Sequence, residues 1–375
     1  MTTFATNSNS TSRRPITILG AGHIGFAMAL LLQQSGDYDI LVVDRDPVRL
    51  AEVAALGIST RLTVDDASLQ AAIDGRFAVL NALPFHRAVP VATLCASAGA
   101  HYFDLTEDVA ATREIMRMAE GAKTAFMPQC GLAPGFIGIV AHHLSKKFSK
   151  LHEVKMRVGA LPAFPTNSLK YNLTWSVDGL INEYCHPCEA IRDGEIIEVL
   201  PLEGMEHFSL DGTEYEAFNT SGGLGTLCET LKGKVETLDY KTVRYPGHCD
   251  IMKMLLQELG MKHDQETLKE ILRRSIPLTM QDVVLVFVTV SGERDGHLVQ
   301  EVFARKIFAD RDEKAPLSAI QITTAAGICA AVDLFREGKL PQSGFIRQEQ
   351  VELPAFLANR FGKAYQQSRQ VESIG

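Results

Sequence analysis

The feature that most constrains this chain is Ile16-Thr17-Ile18-Leu19-Gly20-Ala21-Gly22-His23-Ile24-Gly25. A short apolar, β-branched run, as in a strand buried on both faces, leads into glycines spaced G-x-G-x-x-G. Gly20 permits a tight turn, Gly22 lets backbone approach a pyrophosphate, and Gly25 lets the next helix pack closely on the strand. Phosphates are then expected at the helix N-terminus, beside His23 and Ile24, where free N–H groups and the helix dipole favour negative charge. Ile24, Met28, Leu31 and Leu32 fall on one helical face and Gly36 ends it. A second apolar strand, Ile40 to Val43, closes on Asp44, 24 positions after Gly20. That is close to the spacing of an acid that binds the ribose hydroxyls. A carboxylate there repels a 2′-phosphate, so NAD is the expected cofactor; Arg45, directly after it, leaves NADP open.

Strand and helix signals go on alternating. Asp46-Pro47 opens a helix to about Leu56, Ser59–Val64 reads as a third strand, and Asp66–Ile73 as a short helix. Phe77–Leu80 is a fourth strand, a helix runs to Ala98, and Tyr102-Phe103-Asp104 is a fifth strand. Val109–Glu120 is a helix and Thr124–Met127 a sixth strand. This alternation predicts a Rossmann-type, doubly wound parallel sheet over residues 15–133. After Gly131-Leu132-Ala133-Pro134-Gly135 a helix is expected from Pro134 to about Lys147. Longer strands follow at Val154–Leu161, Gln281–Val290 and His297–Phe308. Residues 134–315 therefore read as an α+β substrate and dimerisation domain with a mixed sheet. Residues 316–375 read as a helical segment returning to the first domain, since Pro316–Glu337 is rich in small residues that allow close packing.

Composition narrows the function classes. At 375 residues and 46% hydrophobic the chain can fill two cores. A net charge of −8 argues against nucleic acid as a partner. No apolar run reaches bilayer-spanning length, so no membrane partner is expected. Seven scattered cysteines without a secretion signal point to reduced thiols in the cytoplasm. Residues 1–14 are polar and lack acids, and read as a disordered tail rather than a transit peptide.

Ligands of open parallel sheets bind at the carboxyl ends of strands. Three segments occupy such ends: Asn81-Ala82-Leu83-Pro84, Asp104 to Glu107, and Cys130 to Gly135. Together they would ring a nicotinamide, with Asn81, Ala82 and Leu83 on the cofactor. Asp104 follows an apolar strand and is placed to orient a substrate amine or accept its proton; Cys130 is either a weak acid–base group or a packing residue. No metal is expected. Cys185-His186-Pro187-Cys188 has a C-x-x-C spacing but no second paired motif, and His142-His143 reads as a helix face.

These blocks resemble the saccharopine dehydrogenase family, and especially its lysine 6-dehydrogenase branch. The resemblance covers most of residues 16–345. It includes Asn81-Ala82-Leu83, Tyr102–Leu105, Gly131–Gly135, Tyr171-Asn172, Trp175-Ser176 and Gly179-Leu180. Its strongest parts are Ala217-Phe218-Asn219-Thr220-Ser221-Gly222-Gly223 and Asp239 through Arg244-Tyr245-Pro246-Gly247-His248. Glutamate-forming saccharopine reductases usually carry Asp where this chain has Ala133, which shifts the expectation toward oxidation of a primary amine.

The resemblance implies hydride transfer between a nicotinamide and a carbon bearing nitrogen, and a homodimer joined through the second domain. The amine must lose a proton first, and Asp104 and His248 are the candidates to take it. Arg244 is expected to grip an amino-acid carboxylate with two parallel hydrogen bonds. Tyr171, Asn172, Thr220 and Ser221 complete the expected substrate site. Saccharopine- or carboxynorspermidine-type reduction would need a second cation, for which Lys170 is a source. A non-catalytic NAD-binding sensor is the alternative outside enzymes.

Overall fold

The computed structural model describes residues 13–173, 176–310 and 316–366. Residues 1–12 of the expected tail, Trp175, and the last nine residues of the C-terminal segment lie outside the described residues.

The first domain alternates as its periodicity predicts. Its elements are β1 (Arg14–Leu19), α1 (His23–Ser35), β2 (Tyr38–Asp44), α2 (Pro47–Ala54), β3 (Ser59–Leu62) and α3 (Asp66–Ile73). They continue with β4 (Ala78–Asn81), α4 (Ala88–Ala98), β5 (His101–Asp104), α5 (Val109–Met118) and β6 (Ala125–Met127). Arg14 already pairs with Tyr38, so the first strand begins inside the stretch read as tail. Side-chain caps set the helix starts: the carboxylates of Asp46, Asp65 and Asp108 accept from Val48, Ser68 and Ala111 N–H groups. All strand pairs are parallel, in the order β3-β2-β1-β4-β5-β6 with a short edge strand after β6. The order reverses between β1 and β4, the topological switch point at which such sheets bind ligands.

Helix α6 (Phe136–Ser145) leads into the second domain. That domain holds β7 (Lys150–Pro162), α7 (Val177–Cys185), β8 (Cys188–Arg192), β9 (Glu195–Val199), β10 (Glu206–Leu210), β11 (Thr213–Asn219) and α8 (Leu227–Leu231). It goes on through β12 (Val235–Arg244), α9 (His248–Lys253), α10 (Gln265–Ser275), β13 (Asp282–Arg294) and β14 (His297–Phe308). The main path of its mixed sheet is β10-β11-β12-β7-β13-β14, with the β8–β9 hairpin branching from β12. Periodicity found β7, β13 and β14. It missed α7, α9 and α10, which pack around Tyr171, Tyr184, Leu268 and Leu272 in a small core of their own.

The chain then forms α11 (Ala319–Arg336), β15 (Gly344–Phe345) and α12 (Leu353–Ala358). Helix α11 lies against α1 and β5 on one side and β13 and β14 on the other. It is the one helix among the described residues long and apolar enough to cross a membrane, which corrects the reading that no such run exists; 78% of that window is buried inside the protein. Its small residues permit close contact. A Cβ on Gly327 would stand 2.6 Å from the Cys130 carbonyl oxygen and 2.9 Å from that of Gly131. At its start, the buried Asp282 carboxylate accepts from Ala319 and Ile320 N–H groups. At its end, buried Asp333 accepts from Tyr38 Oη of β2, Asn359 and Arg360. Strand β15 pairs with β6 and so extends the first sheet.

Candidate active site

The cofactor end is built on the β1–α1 turn. A Cβ on Gly25 would lie 1.8 Å from the Gly20 carbonyl oxygen, so this crossing tolerates only glycine. Gly22 caps α1 with no side-chain bond, and the first turn contains no acid, so the helix N-terminus keeps its positive end unneutralised. His23 is exposed and Ile24 half-buried at that terminus. The Ala82 carbonyl oxygen lies 3.1 Å from a Cβ placed on Gly20, which sets the Asn81–Leu83 loop over the turn. Asp44 closes β2 with one oxygen on Ala21 N–H (2.6 Å) and the other on Asp46 N–H (2.9 Å). It therefore braces the glycine turn from the ribose side. Arg49 was not singled out by spacing, yet its Nη1 is 3.6 Å from a Cβ placed on Gly22. A bare helix terminus, an open Gly22 and a carboxylate at the end of β2 fit a dinucleotide, which when bound supplies a hydride acceptor or donor.

The strand ends are locked together. Asn81 Nδ2 donates to Tyr102 Oη (3.2 Å), which donates to Asp104 Oδ2 (2.7 Å). Asp104 Oδ1 accepts from the N–H groups of Thr106 (3.0 Å) and Gln129 (2.9 Å). The residue is 1% exposed, and burial pushes its carboxyl up to about 6 against the pull of those three donors. This corrects the expectation of a proton acceptor: both oxygens are occupied within the first domain, and Asp104 ties β5 to the loop after β6. Cys130 is also a packing group. Its buried thiol donates to Met127 O and receives Gln348 Nε2, and burial raises its pKa.

The second domain brings Tyr171, Tyr184, Arg244 and His248 together. Arg244, at the end of β12, is 2% exposed. Its Nε donates to Tyr184 Oη (3.0 Å), its Nη1 to Val243 O (2.9 Å), and its guanidinium lies 5.0 Å from the centroid of the Tyr171 ring. No carboxylate of the described residues comes within 4.0 Å of its nitrogens. His248 is fully buried, with Nδ1 3.0 Å from Leu169 O and Nε2 3.1 Å from Tyr184 Oη. A carbonyl only accepts, so Nδ1 carries the hydrogen and Nε2 receives the one from Tyr184. Burial, helped by the Arg244 charge, pushes the imidazole down to about 3. His248 therefore stays neutral and orients Tyr184, which orients Arg244. This replaces its expected role as a base with a positioning role.

The loop after β11 supplies the remaining expected residues. Thr220 Oγ1 pairs with Thr242 Oγ1 at 2.7 Å, and Ser221 N–H donates to Glu183 O at 3.1 Å. Gly222 has φ +85, and a Cβ there would stand 2.8 Å from Glu107 O; one on Gly223 would enter the Tyr240 ring. The loop is thus threaded against the first domain at Glu107. Asn172 is 5% exposed and its Oδ1 has no hydrogen-bond partner among the described residues. Lys170 is exposed and donates to Pro246 O, away from any carboxylate role. Cys185 and Cys188 flank the turn between α7 and β8, where His186 contacts Asn182 O.

Two small clefts lie at the seam between the domains, and both are lined by Val109, Glu189 and Gly225. The seam is clamped from the C-terminal segment. Gln348 Nε2 donates to Pro128 O, while Glu349 accepts from Thr226 and Thr230 of the second domain.

Comparison with known proteins agrees with this architecture. Residues 16–126 match the saccharopine dehydrogenase NADP binding domain, and residues 131–361 match the saccharopine dehydrogenase C-terminal domain. Mitochondrial alpha-aminoadipic semialdehyde synthases are distant relatives. The Rattus norvegicus protein is 20% identical over 325 residues and the Mus musculus protein 18% over 319, each match covering 80% of this chain. The match takes up 34% of those relatives, so the chain spans about a third of their length. The fold is shared with apo saccharopine dehydrogenase (L-Glu forming) from Saccharomyces cerevisiae, at TM-score 0.77 and 17% identity, covering 92% of this chain and 96% of that one. With a Rossmann sheet that matches the saccharopine dehydrogenase NADP binding domain and a mixed-sheet domain that matches its C-terminal domain, the chain belongs to the saccharopine dehydrogenase family.

Proposed function

We propose that the protein transfers hydride between NAD and a carbon bearing nitrogen in lysine or a lysine-derived amino acid, with L-lysine 6-dehydrogenase as the single activity put forward. The observation that carries this is Arg244. A buried guanidinium whose described hydrogen-bond partners are all neutral is costly in isolation and strongly favours an anionic ligand. Its two pinned nitrogens and the Tyr171 face hold the fork in one plane, which suits bidentate capture of a carboxylate. One such cation suits an amino acid with one carboxylate. Saccharopine- or carboxynorspermidine-type reduction is the second reading, supported by the family, but Lys170 faces Pro246 O instead of supplying a second buried cation. A non-catalytic sensor would retain the glycine turn without needing Arg244. NAD is preferred over NADP because the Asp44 carboxylate is braced beside the turn, although Arg45 and Arg49 stand near it.

The test is reduction of NAD and of NADP by purified protein over a panel of amines. Lysine-dependent reduction supports the reading. Turnover only with saccharopine, or only when an amine, a keto acid and reduced cofactor are combined, supports the reductase; tight NAD binding without turnover supports the sensor. Arg244→Ala should raise KM about a hundredfold, as expected when a charge-assisted bidentate contact is lost, with NAD affinity unchanged. Loss of NAD affinity instead would remove Arg244 from the substrate site.

A further inference from the structure

With Asp104 and His248 both occupied, the site still holds a carboxyl that the fold does not use. Glu183 of α7 is 8% exposed. Among the described residues nothing hydrogen-bonds or ion-pairs its carboxyl, while its backbone carbonyl accepts Ser221 N–H. Charged and titratable groups face it from every side: Arg244 and Tyr240 of β12, Tyr184 of α7, Cys188 of β8, and Glu107 from the first domain. Glu107 reaches this place because Gly222 lets the two domains touch there. Glu107 keeps part of its surface open while its carboxyl is enclosed. Arg244, read above as the grip on the substrate carboxylate, is the one cation acting on the Glu183 carboxyl, and Glu107 acts on it as a like charge.

We propose that Glu183 receives the ammonium group of the substrate and takes its proton before hydride leaves the adjacent carbon, with Glu107 as a positioning residue that tunes it. The inference rests on the reading of Arg244 as the carboxylate grip. In the step, the N–H bond of R-CH2-NH3+ breaks and its proton passes to the Glu183 carboxylate, leaving a neutral amine and a carboxylic acid. The C–H bond next to nitrogen then breaks with its electron pair passing to oxidised NAD(P), so carbon is oxidised by two electrons and R-CH=NH2+ remains. The proton on Glu183 leaves to water. Burial pushes Glu183 up to about 8, with Arg244 pulling it down and Glu107 adding to the rise; burial likewise pushes Glu107 up to about 7. A base with a pKa near the working pH is the efficient one.

The experiment compares wild type, Glu183→Gln, Glu183→Asp and Glu107→Gln. Cofactor binding is measured by calorimetry. Lysine binding to the protein–NADH complex is measured in buffers of different ionisation heat, which reads proton release. The pH profile of kcat is then recorded. We expect Glu183→Gln to keep cofactor affinity within about twofold, to lose proton release on lysine binding, and to lower kcat by about a hundredfold or more. Glu183→Asp should recover part of kcat. Glu107→Gln should move the acidic limb of the profile to lower pH, because a like charge is gone. Unchanged kcat, pH profile and proton release in Glu183→Gln overturn the proposal and leave the dehydrogenase reading standing. A wild type that binds cofactor but is reduced by no amine overturns that reading instead; proton release on lysine binding, lost in Glu183→Gln, then still supports the ammonium site, and its absence overturns it.

Discussion

Single residues here are legible by type but not by role. Arg244 and His248 are expected together from their block, and the structure brings both onto Tyr184. Their division of labour follows from burial. Charging His248 would cost the desolvation of an ion beside Arg244, so the ring serves as a neutral acceptor for Tyr184. Tyr184 and Glu183 gave no signal in sequence, because nothing in the spacing of α7 shows which side chains the fold turns toward β12. Glu183 leads to a stability prediction. Its folded pKa, about 8, lies above the ordinary 4.5, so the folded state binds more protons than the unfolded one between those values. Stability then falls as pH rises through that window. Between about pH 7.5 and 8 His248 is neutral in the folded state and almost wholly neutral in the unfolded one, so it adds little to the slope there. The melting temperature should fall over that interval, and Glu183→Gln should flatten the fall, by at most about 1.4 kcal/mol per pH unit. Equal slopes in thermal melts of the two proteins would show that the carboxyl is not held protonated.

At the scale of elements, the small-residue helix α11 is the decisive piece. Its composition showed that it would pack closely, but not that it would run between the two sheets, touching α1, β5, β13 and β14. Close packing is needed most at Gly327, where the helix crosses the Cys130–Gly131 backbone at the edge of the cofactor site. A methyl group there meets carbonyl oxygens that belong to backbone and cannot swing away. Gly327→Ala should cost about 1–3 kcal/mol, the range for overpacking a filled core. It should also weaken dinucleotide binding by displacing the 130–135 loop. Denaturant melts and cofactor titrations check both effects, and a variant as stable as wild type would mean that the crossing is looser than these distances indicate. Strand β12 escaped the period-2 signal for a related reason. Asp239, Tyr240, Lys241 and Thr242 of β12 are all buried, so a strand covered on both faces with polar groups shows no alternation.

At the scale of the whole molecule, the second sheet ends at β14, which exposes Leu298, Val302 and Phe308 on one face. We propose that this face supplies the contact of a homodimer in the cytoplasm. Sedimentation of the purified protein should give a dimer, and Val302→Glu should shift it toward monomer; a wild-type monomer at micromolar concentration would refute the assembly. The path from sequence to fold was direct where chemistry is local. The glycine turn, the caps at Asp46 and Asp108 and the apolar strands each depend on neighbours a few residues away, so the Rossmann half and its nicotinamide cofactor class could be read from the chain alone. The substrate half depends on contacts between residues far apart in sequence: Glu107 against Gly222, Tyr184 against Arg244 and His248, and Gln348 and Glu349 across both domains. Burial assigned their roles. It left Asp104 and His248 as supports, and left the side chains of Arg244 and Glu183 without an ion-pair partner among the described residues, because desolvation is a property of the folded surroundings and leaves no mark on the order of residues.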